Sequence, residues 1–120
     1  MKKILVVDDE ERIREIYTKL LTDEGFSVMA APNVWDANEI LKKDQIDLVL
    51  LDIKMPQADG SVLYDAMQLF HRESRVIVTS VYALDEQKRI IKEAADYFDK
   101  SQGLEILLTK VKNILKNGQF

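Results

Sequence analysis

The stretch Ile46-Asp47-Leu48-Val49-Leu50-Leu51-Asp52-Ile53-Lys54-Met55-Pro56 decides the fold: a run of aliphatic residues ends abruptly in a carboxylate. Ile4-Leu5-Val6-Val7 ends the same way, in Asp8-Asp9. Continuous apolar runs, as opposed to alternating ones, mark strands covered on both faces. Charge is costly to desolvate, so acids that close buried runs call for a compensating charge. Two such runs predict one acidic site built from distant parts of the chain, a divalent cation and phosphate chemistry.

Working outward, further short runs occur at Phe26–Ala31, Val76–Val78 and Tyr97–Phe98. Helical spacing fills the gaps. Ile13, Ile16, Tyr17, Leu20 and Leu21 fall on one helix face, with Gly25 as a stop. Asn33 is the expected N-cap of a second helix holding Trp35, Ala37, Ile40 and Leu41. Gly60-Ser61 precedes a third with Val62, Leu63, Ala66, Met67 and Phe70. A fourth is predicted from about Asp85 through Ile90 and Ile91 to Ala94 and Ala95, and a fifth from Leu104 to near Gly118. Strand and helix alternate throughout, which predicts an α/β, doubly wound (βα)5 fold with a five-stranded parallel sheet and helices on both faces. One domain, 1–120, accounts for the whole chain, and Asn117–Phe120 reads as a tail.

Composition narrows the function. Net charge is −4 with acids and bases mixed and no basic block, so direct nucleic-acid binding has no support. The absence of cysteine excludes disulfides, thiol nucleophiles and thiolate-bound metals. Met1-Lys2-Lys3 and the four aliphatics after it are too short for a signal peptide. No apolar stretch approaches the ~20 residues of a membrane span. The expectation is a reducing, cytoplasmic setting without membrane association.

Right-handed crossovers put all strand C-termini of a parallel sheet on one edge, where ligands bind. Asp8 and Asp9 follow the first run, Asp52 the third, Thr79-Ser80 the fourth, and Lys100 comes just after the fifth; the second runs into Pro32. Two carboxylates ~4 Å apart repel by ~4 kcal/mol at an effective dielectric near 20, and three raise one another's pKa unless a cation intervenes. Oxygen ligands with room for water are the Mg2+ pattern. With His71 the only histidine and no cysteine, zinc and copper have no ligand set. A carboxylate beside Mg2+ can attack phosphorus to form an acyl phosphate, with Mg2+, Lys100 and Thr79 balancing the phosphoryl oxygens.

Five pieces then carry a family resemblance: Val6-Val7-Asp8-Asp9-Glu10, Leu50-Leu51-Asp52-Ile53-Lys54-Met55-Pro56, Asp59-Gly60, Val76-Ile77-Val78-Thr79-Ser80 and Asp96-Tyr97-Phe98-Asp99-Lys100. In this order and spacing, they resemble the receiver domain of two-component response regulators, the CheY-like superfamily, over essentially the whole chain. The resemblance implies the strand order 2-1-3-4-5. It implies Asp52 as phosphoacceptor, and Mg2+ held by Asp8, Asp9, Asp52 and the backbone carbonyl of Lys54, with Asp9 the direct ligand and Asp8 acting partly through water. Thr79 becomes the switch hydroxyl, Tyr97 the switch aromatic and Lys100 the residue that senses the phosphate. The donor is a phosphohistidine on a histidine kinase or histidine phosphotransfer protein, the output a downstream protein target reached through the face of the fourth helix, fifth strand and fifth helix. Ile13 and Ile16, on the first helix, are the docking candidates for the donor. Lys54, two residues past the phosphoacceptor, is expected to slow water attack on the acyl phosphate. The protein is then no enzyme beyond its own phosphorylation and dephosphorylation. It is a stand-alone phosphorelay intermediate, a chemotaxis-type regulator or a piece of something longer.

Two departures from the family are visible. Ser101 follows Lys100 where proline is usual, often through a cis bond, and a cis bond before serine costs ~2.5–4 kcal/mol; either the peptide is trans and the loop differs, or local structure holds a strained bond. Ala94 stands where glycine is common, which predicts a stiffer or reshaped turn. Blander roles also exist: Asp8-Asp9 as a helix cap, Tyr97 as packing, Trp35 as packing or a surface residue, Asp59-Gly60 as a turn, and His71 at an exposed helix end. A Mg2+-dependent phosphatase would need a second acid and a cap over the site. A flavin site would want backbone amides where the first strand ends in acids.

Overall fold

The computed structural model describes residues 1–55 and 60–117. The chain alternates β1 (Lys3–Val7), α1 (Glu11–Asp23), β2 (Ser27–Ala31), α2 (Val34–Lys43), β3 (Leu48–Asp52), α3 (Gly60–Phe70), β4 (Arg75–Ser80), α4 (Leu84–Ile90), β5 (Asp96–Asp99) and α5 (Leu104–Asn117). The strands pair in parallel in the order β2-β1-β3-β4-β5. This is the doubly wound arrangement expected.

Side-chain alternation along each strand divides the core in two. Leu5, Val7, Val49, Leu51, Val76, Val78 and Tyr97 face α2, α3 and the end of α4. Ile4, Val6, Leu48, Leu50, Ile77 and Phe98 face α1 and α5, meeting Tyr17, Leu21, Leu107 and Val111. Every residue of β3 is buried, which is why its sequence runs without alternation. Each of these large apolar side chains contributes roughly 1.5–3 kcal/mol by leaving water.

The helix punctuation follows local chemistry. Gly25 takes φ +93° just past α1, a conformation that side chains with a Cβ rarely adopt. Asn33 caps α2 by accepting the Asp36 N–H at 2.8 Å. The N-cap of α1 is Glu10, without a side-chain cap bond, so neither Asp8 nor Asp9 plays the capping role considered for them.

Two details depart from or complete the expectation. Helix α4 stops at Ile90, short of the predicted Ala94 and Ala95. The Tyr97 hydroxyl donates to the Ile91 carbonyl at 2.6 Å and accepts the Ala94 N–H at 3.1 Å, taking up the backbone groups that another helical turn would use. After β5 there is no cis bond among the described residues, so Lys100–Ser101 is trans. Asp99 shapes that loop: its carboxylate accepts the Ser101 N–H at 2.8 Å and its carbonyl the Gln102 N–H at 2.9 Å. Helix α5 extends through Asn117, one residue into the expected tail. Asp59 and residues 118–120 lie outside the described residues.

Candidate functional site

The C-terminal edge of the sheet gathers the acids. The Asp8 N–H donates to the Ala31 carbonyl at 3.1 Å, continuing the β1–β2 ladder by one residue and pointing the side chain inward. Asp8 is fully buried. Its Oδ1 accepts the Glu10 N–H at 2.9 Å, and its carbonyl accepts from Arg14 Nη1 at 2.7 Å. Asp52 ends β3, opposite Thr79 in the register with β4, and is 2% exposed. Its Oδ1 accepts the Lys54 N–H at 3.1 Å.

Lys100 joins the two acids. Its main chain is fixed by donation to the Ser80 carbonyl at 2.8 Å. Its Nζ lies 2.7 Å from Asp8 Oδ2 and 3.1 Å from Asp52 Oδ2, with all three side chains buried. The Asp52 contact is a hydrogen bond. The Asp8 contact is an ion pair out of hydrogen-bond alignment, because Asp8 Oδ2 has no hydrogen-bond donor. Asp9 is exposed beside them, at the mouth of an open cleft of about 420 Å3 that Glu10, Asp52, Lys54, Val81 and Lys100 also line.

The charges are unevenly balanced. Burial, the largest effect, pushes the Asp52 carboxyl up from 3.8 to about 6; Lys100 pulls it back, and Asp8 raises it again. Burial alone would depress the Lys100 ammonium, but its contact with Asp8 and the negative charge of both acids outweigh that and hold it above the ordinary lysine value. One ammonium thus serves two buried carboxylates and a third nearby.

Asp8, Asp9 and Asp52 each offer a carboxylate oxygen, all within 4.8 Å of one another. The donors are hard oxygens, one of them the buried Asp8 Oδ2 with no hydrogen-bond donor. Such a set fits Mg2+ and gives a thiophilic metal nothing to bind.

The sequence-predicted residues are therefore together: Asp9, Asp52, Lys54 and Lys100 line one cleft, Asp8 is buried behind it against Lys100, and Thr79 is buried beside Asp52 in the sheet. Tyr97 stands apart on the opposite side of β5. It is 7% exposed and packed in the core under α4, with its hydroxyl on Ile91 and Ala94. Ile13 and Ile16 are half-buried against the α1–α5 core. Trp35 is 54% exposed, resolving its two readings toward the surface. His71 follows the end of α3.

Gln87 was not anticipated. It is fully buried in α4 and donates from Nε2 to the carbonyls of Tyr82 (2.8 Å) and Phe98 (3.0 Å). The signal was present: Leu84, Gln87 and Ile91 share helical spacing, which turns Gln87 toward the core.

Fold and site together define a protein that gathers acids and a lysine at the carboxyl edge of a doubly wound sheet, the build of a phosphate-responsive switch. The chain belongs to the response regulator receiver domain family, whose sequence pattern matches residues 4–112. It is 33% identical to sporulation initiation phosphotransferase F of Bacillus subtilis, over 95% of this chain and 94% of that protein. It is 31% identical to the transcriptional regulatory protein CpxR of Escherichia coli, over the whole chain but only 52% of that longer protein. Among solved structures, it superposes with TM-score 0.87 and 32% identity on the response regulator TrrA of Thermotoga maritima in complex with Mg(2+)-BeF, covering 95% of this chain and 99% of that one. A CheY-like receiver domain protein of Methanospirillum hungatei superposes with TM-score 0.92 at 26% identity, covering 99% and 97%. Phosphorylation-dependent two-component signalling is the family's work. No helix among the described residues is long and apolar enough to cross a membrane.

Proposed function

We propose that the chain is a phosphorylation-controlled switch in which Asp52 takes a phosphoryl group from a phosphohistidine on a histidine kinase or histidine phosphotransfer protein. The observation that carries this reading is the buried Asp8–Lys100–Asp52 arrangement opening into the cleft. An Asp52 oxygen attacks phosphorus, the P–N bond to the donor imidazole breaks, and the imidazole leaves with that electron pair and takes up a proton. The attacking carboxylate must be ionised. With its pKa at about 6, most Asp52 is ionised at neutral pH. Its two oxygens are held by the Lys54 N–H and by Lys100, which fixes the carboxylate plane before the donor arrives.

Mg2+ held by Asp8, Asp9, Asp52 and the Lys54 carbonyl would neutralise phosphoryl charge and oppose the upward shift of the Asp52 pKa. Lys100 then exchanges its Asp52 contact for a phosphoryl oxygen, and Thr79, across the register from Asp52, donates its hydroxyl to another. Movement there is passed to α4, β5 and α5, the face that selects a downstream protein. Tyr97, buried between β5 and the end of α4, is the switch aromatic on this path. Ile13 and Ile16, half-buried in the first two turns of α1, offer the donor a place to dock. The setting is cytoplasmic, and the protein's catalysis is confined to its own phosphorylation and dephosphorylation.

The test is incubation with Mg2+ and acetyl phosphate, followed by intact mass, and with beryllofluoride, followed by amide NMR shifts. The wild type gains one phosphoryl group and shifts around the cleft, and Asp52→Ala does neither. An unchanged wild type, or an equal gain by Asp52→Ala, refutes the reading.

A further inference from the structure

Asp8 and Asp9 are neighbours in the chain but are held differently. Asp8 is buried, with its N–H on the Ala31 carbonyl and its side chain against Lys100. Asp9 is exposed and lines the cleft. The peptide that joins them is planar, so the Asp8 carbonyl and the Asp9 Cα turn as one unit. Whatever grips that carbonyl oxygen also aims the Asp9 side chain.

Arg14 supplies the grip. Its Nη1 donates to the Asp8 carbonyl at 2.7 Å, a charge-assisted bond. Its backbone is rooted in the same segment: the Arg14 N–H donates to the Glu10 carbonyl at 3.1 Å, and the Glu10 N–H donates to Asp8 Oδ1 at 2.9 Å. Three bonds thus close a ring through Asp8, Glu10 and Arg14, and Asp9 is a residue that the ring spans. Arg14 is half-buried and stands outside the cleft lining, beside Ala30 of the edge strand β2. A guanidinium behind a metal site repels the dication. Its charge therefore gives it no way to strengthen metal binding, and any benefit is geometric.

We propose that Arg14 is a positioning residue for the metal site: by holding the Asp8–Asp9 peptide, it presets the Asp9 carboxylate where one dication can also reach Asp8 and Asp52. The inference rests on the proposed function, since it presumes that these three acids bind Mg2+. Their carboxylate oxygens already lie within 4.8 Å of one another. Mg2+ demands near-ideal octahedral geometry, so a ligand that must be reoriented first weakens binding. Groups that orient metal ligands typically carry about 10–100-fold in affinity, and a half-exposed side chain acting through the main chain belongs at the low end, about tenfold. Removing the charge works in the opposite sense. The two effects of losing Arg14 differ in sign, which makes them separable.

The experiment titrates the full chain with Mg2+ and follows amide NMR shifts, with no phosphoryl donor present. In the wild type the Asp9, Asp52 and Lys54 signals move and saturate. Arg14→Met needs about tenfold more Mg2+ for half-saturation. Arg12→Met removes an exposed cation two residues away and binds Mg2+ at least as tightly as the wild type. Half-saturation of Arg14→Met at or below the wild-type concentration overturns the positioning role and leaves the metal site standing; equal weakening by Arg12→Met does the same. A wild type without saturable shifts overturns the underlying reading instead. A second readout uses no metal. Opening the ring loosens the Glu10 N–H, so its hydrogen exchange quickens in Arg14→Met and stays at the wild-type rate in Arg12→Met. Unchanged exchange at Glu10 in Arg14→Met defeats the ring.

Discussion

Asp52→Asn replaces the buried carboxylate by a neutral group of nearly the same shape, and the structure fixes what that does to stability. In the native protein the carboxyl titrates at about 6, against 3.8 when unperturbed. Between those values the folded state keeps a proton that the unfolded chain has released, so this group makes stability fall as pH rises from about 4 to about 6. The displacement is worth about 3 kcal/mol, and with Asp52 only 2% exposed, solvent screening removes little of it. The variant lacks this penalty, while the other titrating groups are common to both proteins. Urea unfolding followed by circular dichroism, with chelator present, therefore shows Asp52→Asn gaining about 3 kcal/mol on the wild type between pH 4 and pH 7.5. Saturating Mg2+ at pH 7.5 narrows the gap by binding the native wild type. A stability difference that stays constant over this pH range would show that the carboxylate is not held at a cost, and the electrostatic account of the site would fail.

Three further outcomes follow from named contacts. Lys100→Met strands two buried carboxylates and lowers stability at neutral pH by about 3–5 kcal/mol; thermal melts recover much of the loss in Mg2+, and a loss indifferent to Mg2+ contradicts the shared-cation picture. Tyr97→Phe leaves the Ile91 carbonyl and Ala94 N–H without their hydroxyl and costs about 1–3 kcal/mol. Its signature is faster hydrogen exchange at Ala94, and unchanged exchange there would count against the hydroxyl as the stop of α4. Gly60→Ala drives a Cβ into the Asp52 carbonyl and destabilises by about 1–3 kcal/mol, read from the urea midpoint; a neutral substitution would mean that α3 can back away.

Much of this was legible in the sequence because the decisive signals are local. Apolar runs gave the strands, and a parallel sheet brings the residues after those runs to one rim, so Asp8, Asp52 and Lys100 could be grouped from the chain alone. The strand order came with the family resemblance and not from periodicity. What escaped was non-local. Ile90, Ile91, Ala94 and Ala95 keep a helical rhythm, but α4 ends at Ile90, and the hydroxyl of Tyr97, arriving from β5, takes the Ile91 carbonyl and the Ala94 N–H. Gln87 had the spacing of a core residue but polar chemistry, and its two acceptors belong to separate segments. The trans link after Lys100 is the default before serine; the Asp99 carboxylate holding the Ser101 N–H is the part that the missing proline did not announce.

Helix α3 begins backbone against backbone: a Cβ on Gly60 would overlap the Asp52 carbonyl, and the Gly60 N–H donates to Ile53 at 2.9 Å. With no side chain to cushion the joint, α3 cannot slide closer to the strand, and the backbone that carries Asp52 is braced by the first turn of the helix. Leu69 and Phe70, three-quarters exposed, stand at the other end of the helix, about 15 Å away.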